Sequence, residues 1–321
     1  MQLEEHKSLV TIISPVHNEQ ESIPIFYERL YKVFQSLADH YDYQILFTNN
    51  RSTDLTSEII HTLHEADPRV EMLTLSRNFG YQASVLSGLT YARGDLIMVI
   101  DVDCEDPPEL LPLFLEGWRQ GYDIVYGIRS KRMEFIAVQW MRKLFYRLLR
   151  ATADSHIILD MAEFALISAT VRDHVIDNFS TFPFIRTDIG YVGFERKGIE
   201  YQRQMRVHGK SHYNFITMAA FAIGGILSSS TYLLRLGGIL GAVLVPLNLL
   251  LMVIHLNLNY RPIFDALVIT DLTYVLAVTA LIGLYVARIY KNDVRRPIFI
   301  VDWRKSIYNE SRTGIKAALN N

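Results

Sequence analysis

Cysteine is almost absent from this sequence, since Cys104 is the only one in the chain. An internal disulfide is therefore excluded, which fits a reducing compartment. An excess of charge of one sign is also lacking, because 32 lysines and arginines face 34 aspartates and glutamates, for a formal net charge of −2. No global field favours a nucleic acid as partner, and we expect none. The first residues, Met1 to Lys7, are polar and precede only a short apolar run, so no signal peptide is expected.

The N-terminal part alternates short β-branched runs with segments that carry apolar residues at helical spacing. The predicted strands and helices are, in chain order, Leu9–Ser14, Ile23–Leu37, Tyr43–Thr48, Thr53–His64, Val70–Ser76, Tyr81–Ala92 and Leu96–Ile100. This alternation predicts an α/β fold with a parallel sheet and helices on both faces. Right-handed crossovers then place the loops that follow the strands together at the carboxyl ends of the strands, where ligands bind.

Apolar runs dominate the C-terminal part. Leu236–Ile254 carries no charged residue and is long enough to cross a hydrocarbon core of about 30 Å, and Asp265–Ala287 is a second candidate. Phe215–Ser230 is shorter and interrupted by small residues, which predicts a helix lying at the membrane interface. The alternative is that the two long runs are buried core helices of a soluble protein.

Basic residues flank the two long runs, whereas the loop between them holds only Arg261. The flanking residues are Arg203, Arg206 and Lys210 before the first run, and Arg288, Lys291, Arg295 and Arg296 after the second. The positive-inside rule therefore predicts a hairpin in the cell (inner) membrane, with the N-terminal α/β domain and the tail in the cytoplasm. The predicted boundaries are 1–212 for the α/β domain, 213–231 for the interface region, 232–290 for the membrane helices and 291–321 for the tail.

Asp101-Val102-Asp103 is the sharpest chemical signal. Two carboxylates one residue apart at the end of a buried strand can both reach a hard divalent cation, Mg²⁺ or Mn²⁺, which prefers oxygen ligands and shares them with substrate phosphates. The cation would make a diphosphate a better leaving group. The alternative for an isolated Asp-x-Asp is a solvated loop or a helix start, but its place after the fourth strand and before Asp106–Glu109 favours the metal site.

Four segments of the chain resemble one enzyme family. Ser14–Glu19 (SPVHNE), Asn50–Asp54 (NRSTD), Leu75–Ser84 (LSRNFGYQAS) and Asp101–Glu109 (DVDCEDPPE) are similar to the corresponding runs of family-2 inverting glycosyltransferases. The resemblance is narrower still to polyprenyl-phosphate glycosyltransferases, such as bactoprenol glucosyltransferases and dolichyl-phosphate mannose synthases, and it extends to the two-helix tail. It implies a GT-A fold, which is Rossmann-like with a mostly parallel sheet.

The resemblance also implies roles for individual residues on the donor side. Asp103 would bind the metal directly, and Asp101 would lie near the metal, the ribose and the sugar. Glu105 stands where relatives usually have Gln, and Asn49 where they usually have Asp. The implied nucleotide-sugar pocket comprises Pro15, His17, Glu19, Asn49, Arg77, Asp101 and Glu105. His17 has the alternative of being a loop histidine without a special role.

A second acidic segment, Asp160–Phe164, resembles one in which relatives bring acidic residues to the acceptor and the transferred sugar. Ala162 and Glu163 replace the usual Gly and Asp, and Ala165 and Ala169 stand where relatives commonly carry arginines. Asp160 is a candidate catalytic residue, as a base or an orienting group, or else a carboxylate at a helix start.

Basic residues near the predicted bilayer are candidates for binding the acceptor phosphate, because arginine and lysine hold phosphate oxygens by charge-assisted hydrogen bonds. They are Arg129, Arg203, Arg206 and Lys210. The alternative is that this group only attracts anionic lipid headgroups.

The expected reaction is transfer of glucose from UDP-glucose to a polyprenyl phosphate of undecaprenyl type. The alternatives are another lipid acceptor such as diacylglycerol, a growing polysaccharide, or a non-catalytic sugar-nucleotide-binding protein. A processive synthase is disfavoured, since the chain has two spanning candidates and lacks a Gln-x-x-Arg-Trp motif. Arg295–Val301 is a candidate surface for packing on a second copy of the chain, which would make a homo-oligomer.

Overall fold

The computed structural model describes residues 7–129, 161–178, 183–206, 231–258 and 261–309. These residues form two compact units, one built from the N-terminal ranges together with 297–309, and the other from 231–258 and 261–296. The predicted interface helix at Phe215–Ser230 lies outside the described residues.

The first unit contains a seven-stranded sheet with the order β3-β2-β1-β4-β6-β5-β7. Neighbouring strands run parallel except at β6, which pairs antiparallel with β4 and with β5. The strands are β1 (Ser8–Val16), β2 (Tyr41–Asn49), β3 (Val70–Thr74), β4 (Leu96–Val99), β5 (Ile124–Arg129), β6 (Met161–Ser168) and β7 (Arg196–Tyr201). The predicted α/β fold with a mostly parallel sheet is confirmed.

Helices cover both faces of this sheet. They are α1 (Ser22–Leu37), α2 (Thr56–Ala66), α3 (Tyr81–Tyr91), α4 (Leu111–Arg119), α5 (Ala169–Asp177) and α6 (Ile185–Tyr191). Phe26 of α1 packs in the core on one face and Leu89 of α3 in the core on the other. Ile12 and Ile13 are both fully buried because successive strand residues point to opposite faces, and each face is covered. This explains why the strands read as continuous apolar runs.

The predicted N-terminal elements match the observed ones to within a few residues at each end. The largest shift is in α2, predicted to begin at Thr53 and observed from Thr56. Asp54 precedes the helix and accepts a hydrogen bond from the backbone N–H of Thr56 at 3.1 Å, so the carboxylate holds the turn before α2.

Residues 297–309 belong to the first unit and cover the free edge of β3. Met72 and Ile307 exchange two backbone hydrogen bonds of 2.8 and 2.7 Å, and Asp302 N–H donates to the carbonyl of Thr74. The Tyr91 ring packs edge-on against Trp303 and Tyr308. An uncovered strand edge presents unpaired backbone groups, so this segment completes the sheet on that side.

The second unit is a pair of helices, α7 (Tyr232–Leu258) and α8 (Arg261–Val294). The Tyr274 hydroxyl donates to the carbonyl of Gly237 at 2.9 Å, and Asn248 donates to Asp271, so the two helices pack side by side. Both are long and apolar enough to cross a membrane by length and composition, and almost none of their length is buried. Both long apolar runs of the sequence are therefore helical, and exposed rather than core helices.

We predict that the segment 297–309 stabilises the first unit. Ending the full chain after Arg296 removes the backbone bonds to β3 and exposes the Tyr91 ring, which should lower the Tm of that unit by about 5–10 °C. Differential scanning fluorimetry of the detergent-solubilised protein measures this shift.

The matched control ends the chain after Asn309 and keeps every contact described above, so its Tm should equal that of the full chain. Equal Tm values for both truncations would show that the segment contributes nothing to the sheet.

Candidate active site

The loops after three adjacent strands each contain a non-glycine residue in the left-handed conformation. Asn18 follows β1 with φ 59°, Arg51 follows β2 with φ 64°, and Cys104 follows β4 with φ 57°. Each such residue costs on the order of 1 kcal/mol and persists only where surrounding contacts hold it. The strained positions therefore lie beyond the carboxyl ends of these strands, where the predicted ligand loops meet.

Direct hydrogen bonds join the loops after β1 and β2. The side-chain oxygen of Asn18 accepts from the backbone N–H of Thr53 at 2.8 Å, and the Asn18 N–H donates to Ser52 Oγ at 3.0 Å. The N–H of Glu19 donates to Thr56 Oγ1 at 2.9 Å. The two loops are thereby fixed relative to each other, as a rigid binding site requires.

Four of the residues predicted to bind the nucleotide-sugar lie in or beside these loops. Pro15 is half-buried near the end of β1, and the exposed His17 ring lies 3.5 Å from the Asn78 amide. Glu19 accepts from Ser22 Oγ at 2.8 Å, while the Arg77 guanidinium stacks on the Phe79 ring at 3.8 Å. Their contacts with a nucleotide stay predictions.

Asn49 and Asn50 are neighbours in the sequence but form hydrogen bonds with different parts of the chain. Asn49 is fully buried. Its side-chain amide donates to Ser57 Oγ at 2.8 Å, and its side-chain oxygen accepts from the N–H of Ser52. The side chain therefore connects the turn before α2 with the first turn of that helix. Asn50 instead accepts from the N–H of Phe79 at 2.9 Å and donates to Asn78. Asn50 is therefore the member of the pair that contacts the loop between β3 and α3, and the prediction of a nucleotide contact at Asn49 stays untested.

Carboxylates crowd together after β4. Asp101 accepts from the Tyr81 hydroxyl at 2.9 Å, and Asp103, only 5% exposed, accepts from the N–H of Glu105. Burial raises the pKa of Asp101 to about 7, and the negative charges of Asp103 and Asp106 add to this rise. Burial also raises the pKa of Asp103. Both residues of the Asp-x-Asp motif therefore lie in a region of negative charge that favours a bound cation.

Three predicted phosphate-binding arginines contact this same acidic group. Arg206 pairs with Asp103 at 2.8 Å and with Glu105 at 3.0 Å. Arg203 pairs with Glu105 and Asp106, and Arg129 pairs with Asp106 at 3.0 Å. The structure therefore brings residues predicted to bind the acceptor phosphate into contact with residues predicted to bind the nucleotide-sugar and its metal. Asp160 and Lys210 lie outside the described residues.

Several residues of the site were not among the predicted site residues. Asp106, only 2% exposed, accepts from the Tyr201 hydroxyl, and the charge of the half-buried Glu163 raises the pKa of Asp101. Burial raises the pKa of Glu163, and Arg186 opposes that rise. The sequence held two signals for them: Asp106 lies in the acidic run after β4, and Glu163 lies in the second acidic segment.

The carboxylate oxygens at the end of β4 are suitable ligands for a hard divalent cation. Carboxylate oxygens are the ligands that Mg²⁺ and Mn²⁺ prefer, and here Asp101 and Asp103 offer them. In the described part of the chain, no three or more histidine, cysteine, aspartate or glutamate residues form a ready metal cage. A cation that shares its coordination sphere with a diphosphate needs only one or two protein carboxylates, so the residues present suit that mode of binding.

A separate cavity of about 580 Å³ lies between the start of α2, the end of β3 and the C-terminal segment. Its lining includes Asn49, Arg51, His61, Thr74 and Lys305. Neither Asp101 nor Asp103 lines it, so this cavity is distinct from the acidic cluster.

Comparison with known proteins gives consistent matches. The family model of glycosyl transferase family 2 matches residues 11–189. An uncharacterized glycosyltransferase YkcC of Bacillus subtilis (strain 168) is 34% identical over 94% of this chain and 95% of its own length. A bactoprenol glucosyl transferase of Shigella phage SfV is 32% identical over 91% of this chain and 97% of its own. Among solved structures, mannosyl-3-phosphoglycerate synthase from Rubrobacter xylanophilus superposes with a TM-score of 0.48 and 14% identity, over 68% of this chain and 72% of that one.

We predict that Asp106 is a major stabilising residue of the site. Asp106→Ala leaves the Arg129 guanidinium without its buried ion-pair partner, which should lower the free energy of unfolding by about 3–5 kcal/mol. Urea unfolding followed by tryptophan fluorescence measures the loss.

Asp173→Ala is the control, because the Asp173 carboxylate is exposed and its removal leaves Arg172 bonded to the carbonyl of Ala92. An ion pair with a solvent-exposed carboxylate contributes about 0–1 kcal/mol, so this variant should unfold close to the wild type. A loss for Asp106→Ala no larger than for Asp173→Ala would contradict the prediction.

Proposed function

The chain belongs to glycosyl transferase family 2, and from that premise we propose that it transfers a hexose from a nucleotide-sugar to a polyprenyl phosphate. The expected donor is UDP-glucose. Support comes from the relatives named bactoprenol glucosyl transferase, whose match covers 91% of this chain. A match of that extent takes in the C-terminal helices as well as the α/β unit.

The observation that carries this proposal is the meeting of acidic and basic residues at the end of β4. Asp101 and Asp103 suit a cation that binds the diphosphate of a donor. Arg129 on β5, together with Arg203 and Arg206 after β7, provides guanidinium groups suited to phosphate oxygens. One site thereby contains the groups for a diphosphate leaving group and for a phosphate acceptor.

The acceptor needs little activation, because a polyprenyl phosphate is already an anion at neutral pH. Arg129, Arg203 and Arg206, with Lys210, are proposed to orient it. Catalysis then rests on positioning and on electrostatic stabilisation, with no obligatory general base.

In the proposed step, a phosphate oxygen of the acceptor forms a bond to the anomeric carbon while the bond from that carbon to the diphosphate breaks. The nucleoside diphosphate leaves with the electron pair of that bond, and a single displacement inverts the anomeric configuration. Mg²⁺ or Mn²⁺, when bound, would neutralise charge on the departing diphosphate. Asp103 is proposed to hold the cation directly, and Asp101, held by Tyr81, to lie near the ribose and sugar.

The helices α7 and α8 are proposed to cross the cell membrane as a hairpin. Their exposed apolar surfaces support this, as do the basic residues that precede α7 and follow α8. This arrangement leaves the α/β unit in the cytoplasm, where nucleotide-sugars are available, and restricts its search for a lipid acceptor to the plane of the membrane.

The experiment is to incubate membranes containing the protein with undecaprenyl phosphate and a panel of radiolabelled nucleotide-sugars. We expect a lipid-linked product with UDP-glucose that depends on added Mg²⁺ or Mn²⁺. Product on diacylglycerol instead would change the acceptor, and UDP binding without product on any lipid would contradict the proposed function.

Asp103→Asn should lower the rate of product formation by about 100-fold or more, because the amide keeps the shape and loses the charge that binds the cation. Asp173→Asn serves as a surface control and should retain the wild-type rate. Full activity of Asp103→Asn with an unchanged Tm would rule out the proposed role of this carboxylate.

A further inference from the structure

Arg206 and a metal ion would use the same oxygen atom. The guanidinium of Arg206 lies 2.8 Å from Asp103 Oδ2, while the other carboxylate oxygen of Asp103 accepts from the N–H of Glu105 at 3.0 Å. The backbone bond occupies part of Oδ1, so Oδ2 is the more available ligand atom of Asp103, and that atom contacts a side chain of positive charge.

Two cations cannot share this oxygen at low cost. A divalent ion ligated by Oδ2 would lie beside a guanidinium of the same sign, in a region that is partly shielded from water. Asp103 is buried and the side chain of Arg206 is only 28% exposed, so solvent screens the repulsion weakly.

We propose that Arg206 competes with the divalent cation for Asp103, so that binding of the metal displaces the arginine from this carboxylate. The inference rests on the proposed function, which assigns the cation to Asp103. Before the cation binds, Arg206 is the counter-ion of the buried carboxylate, and afterwards the metal takes over that role.

Glu105 determines where Arg206 goes when it leaves Asp103. The Nε atom of Arg206 lies 3.0 Å from Glu105 Oε1, and only its terminal nitrogen contacts Asp103. Rotation of the flexible side chain can therefore release Asp103 while the bond to Glu105 remains. The guanidinium stays in the site, where it can meet the phosphate oxygens of a substrate.

The other arginines of the site do not take this role. Arg203 pairs with Glu105 and Asp106, and Arg129 pairs with Asp106. The competition is thus assigned to one side chain, and it is reciprocal: a ligand that draws Arg206 away from Asp103 strengthens metal binding, and the metal strengthens binding of that ligand by the same factor.

Titration of the full chain in detergent with Mn²⁺, following free Mn²⁺ by electron paramagnetic resonance, tests the competition. Arg206→Gln should bind Mn²⁺ about 10-fold more tightly than the wild type, because the competing charge is gone. Arg206→Lys keeps the charge and should fall between the two. Arg304→Gln, which removes an exposed arginine of the C-terminal segment, should leave the affinity unchanged.

A second readout follows the arginine itself. Phenylglyoxal modifies accessible guanidinium groups, and its reaction at Arg206 is quantified by mass spectrometry of the digested protein. Mn²⁺ should increase modification of Arg206 several-fold in the wild type. In Asp103→Asn the modification should be high from the start and independent of Mn²⁺.

Equal or weaker Mn²⁺ binding by Arg206→Gln, or modification of Arg206 that Mn²⁺ leaves unchanged, would overturn the inference. Neither readout involves sugar transfer. Competition without lipid product would therefore refute the proposed function alone, and lipid product without competition would refute the inference alone.

Discussion

Negative charge held out of water at the end of β4 is the constraint on which the rest of the site depends. Buried carboxylates are costly unless cations or hydrogen-bond donors compensate them. The first unit provides both: the Tyr81 hydroxyl bonds to Asp101, the Tyr201 hydroxyl bonds to Asp106, and Arg206 pairs with Asp103. A site arranged in this way favours a bound cation, and the proposed function assigns a divalent metal ion to these carboxylates.

The compensating groups come from both halves of the sheet. Asp101 and Asp103 follow the parallel strand β4, whereas Arg129, Arg203 and Arg206 belong to β5 and to the residues after β7, beyond the antiparallel strand β6. Because β6 pairs with both β4 and β5, it sets the distance between the acidic and the basic sides of the site. Its own Glu163 is half-buried, and its charge acts on Asp101.

Local patterns predicted the parallel half of the sheet and the two long helices, since an apolar run of the right period identifies a strand or a helix without knowledge of its partners. The antiparallel insertion of β6 and the pairing of 297–309 with β3 depend on contacts between distant parts of the chain, which periodicity does not report. The site divides in the same way. Asp101 and Asp103 follow from a motif, but the tyrosines gain their roles from tertiary contacts. The different partners of Asn49 and Asn50 likewise depend on tertiary contacts, with Ser57 for one and Phe79 for the other.

The return of the chain to β3 has a consequence for biosynthesis. The free edge of β3 is covered by residues that follow both long helices in the sequence, so translation delivers the last strand partner only after α7 and α8 have been made. Closing so long a loop is slow relative to forming local contacts. The nascent α/β unit therefore emerges from the ribosome with one sheet edge uncovered, and it completes its sheet only after the hairpin has been synthesised.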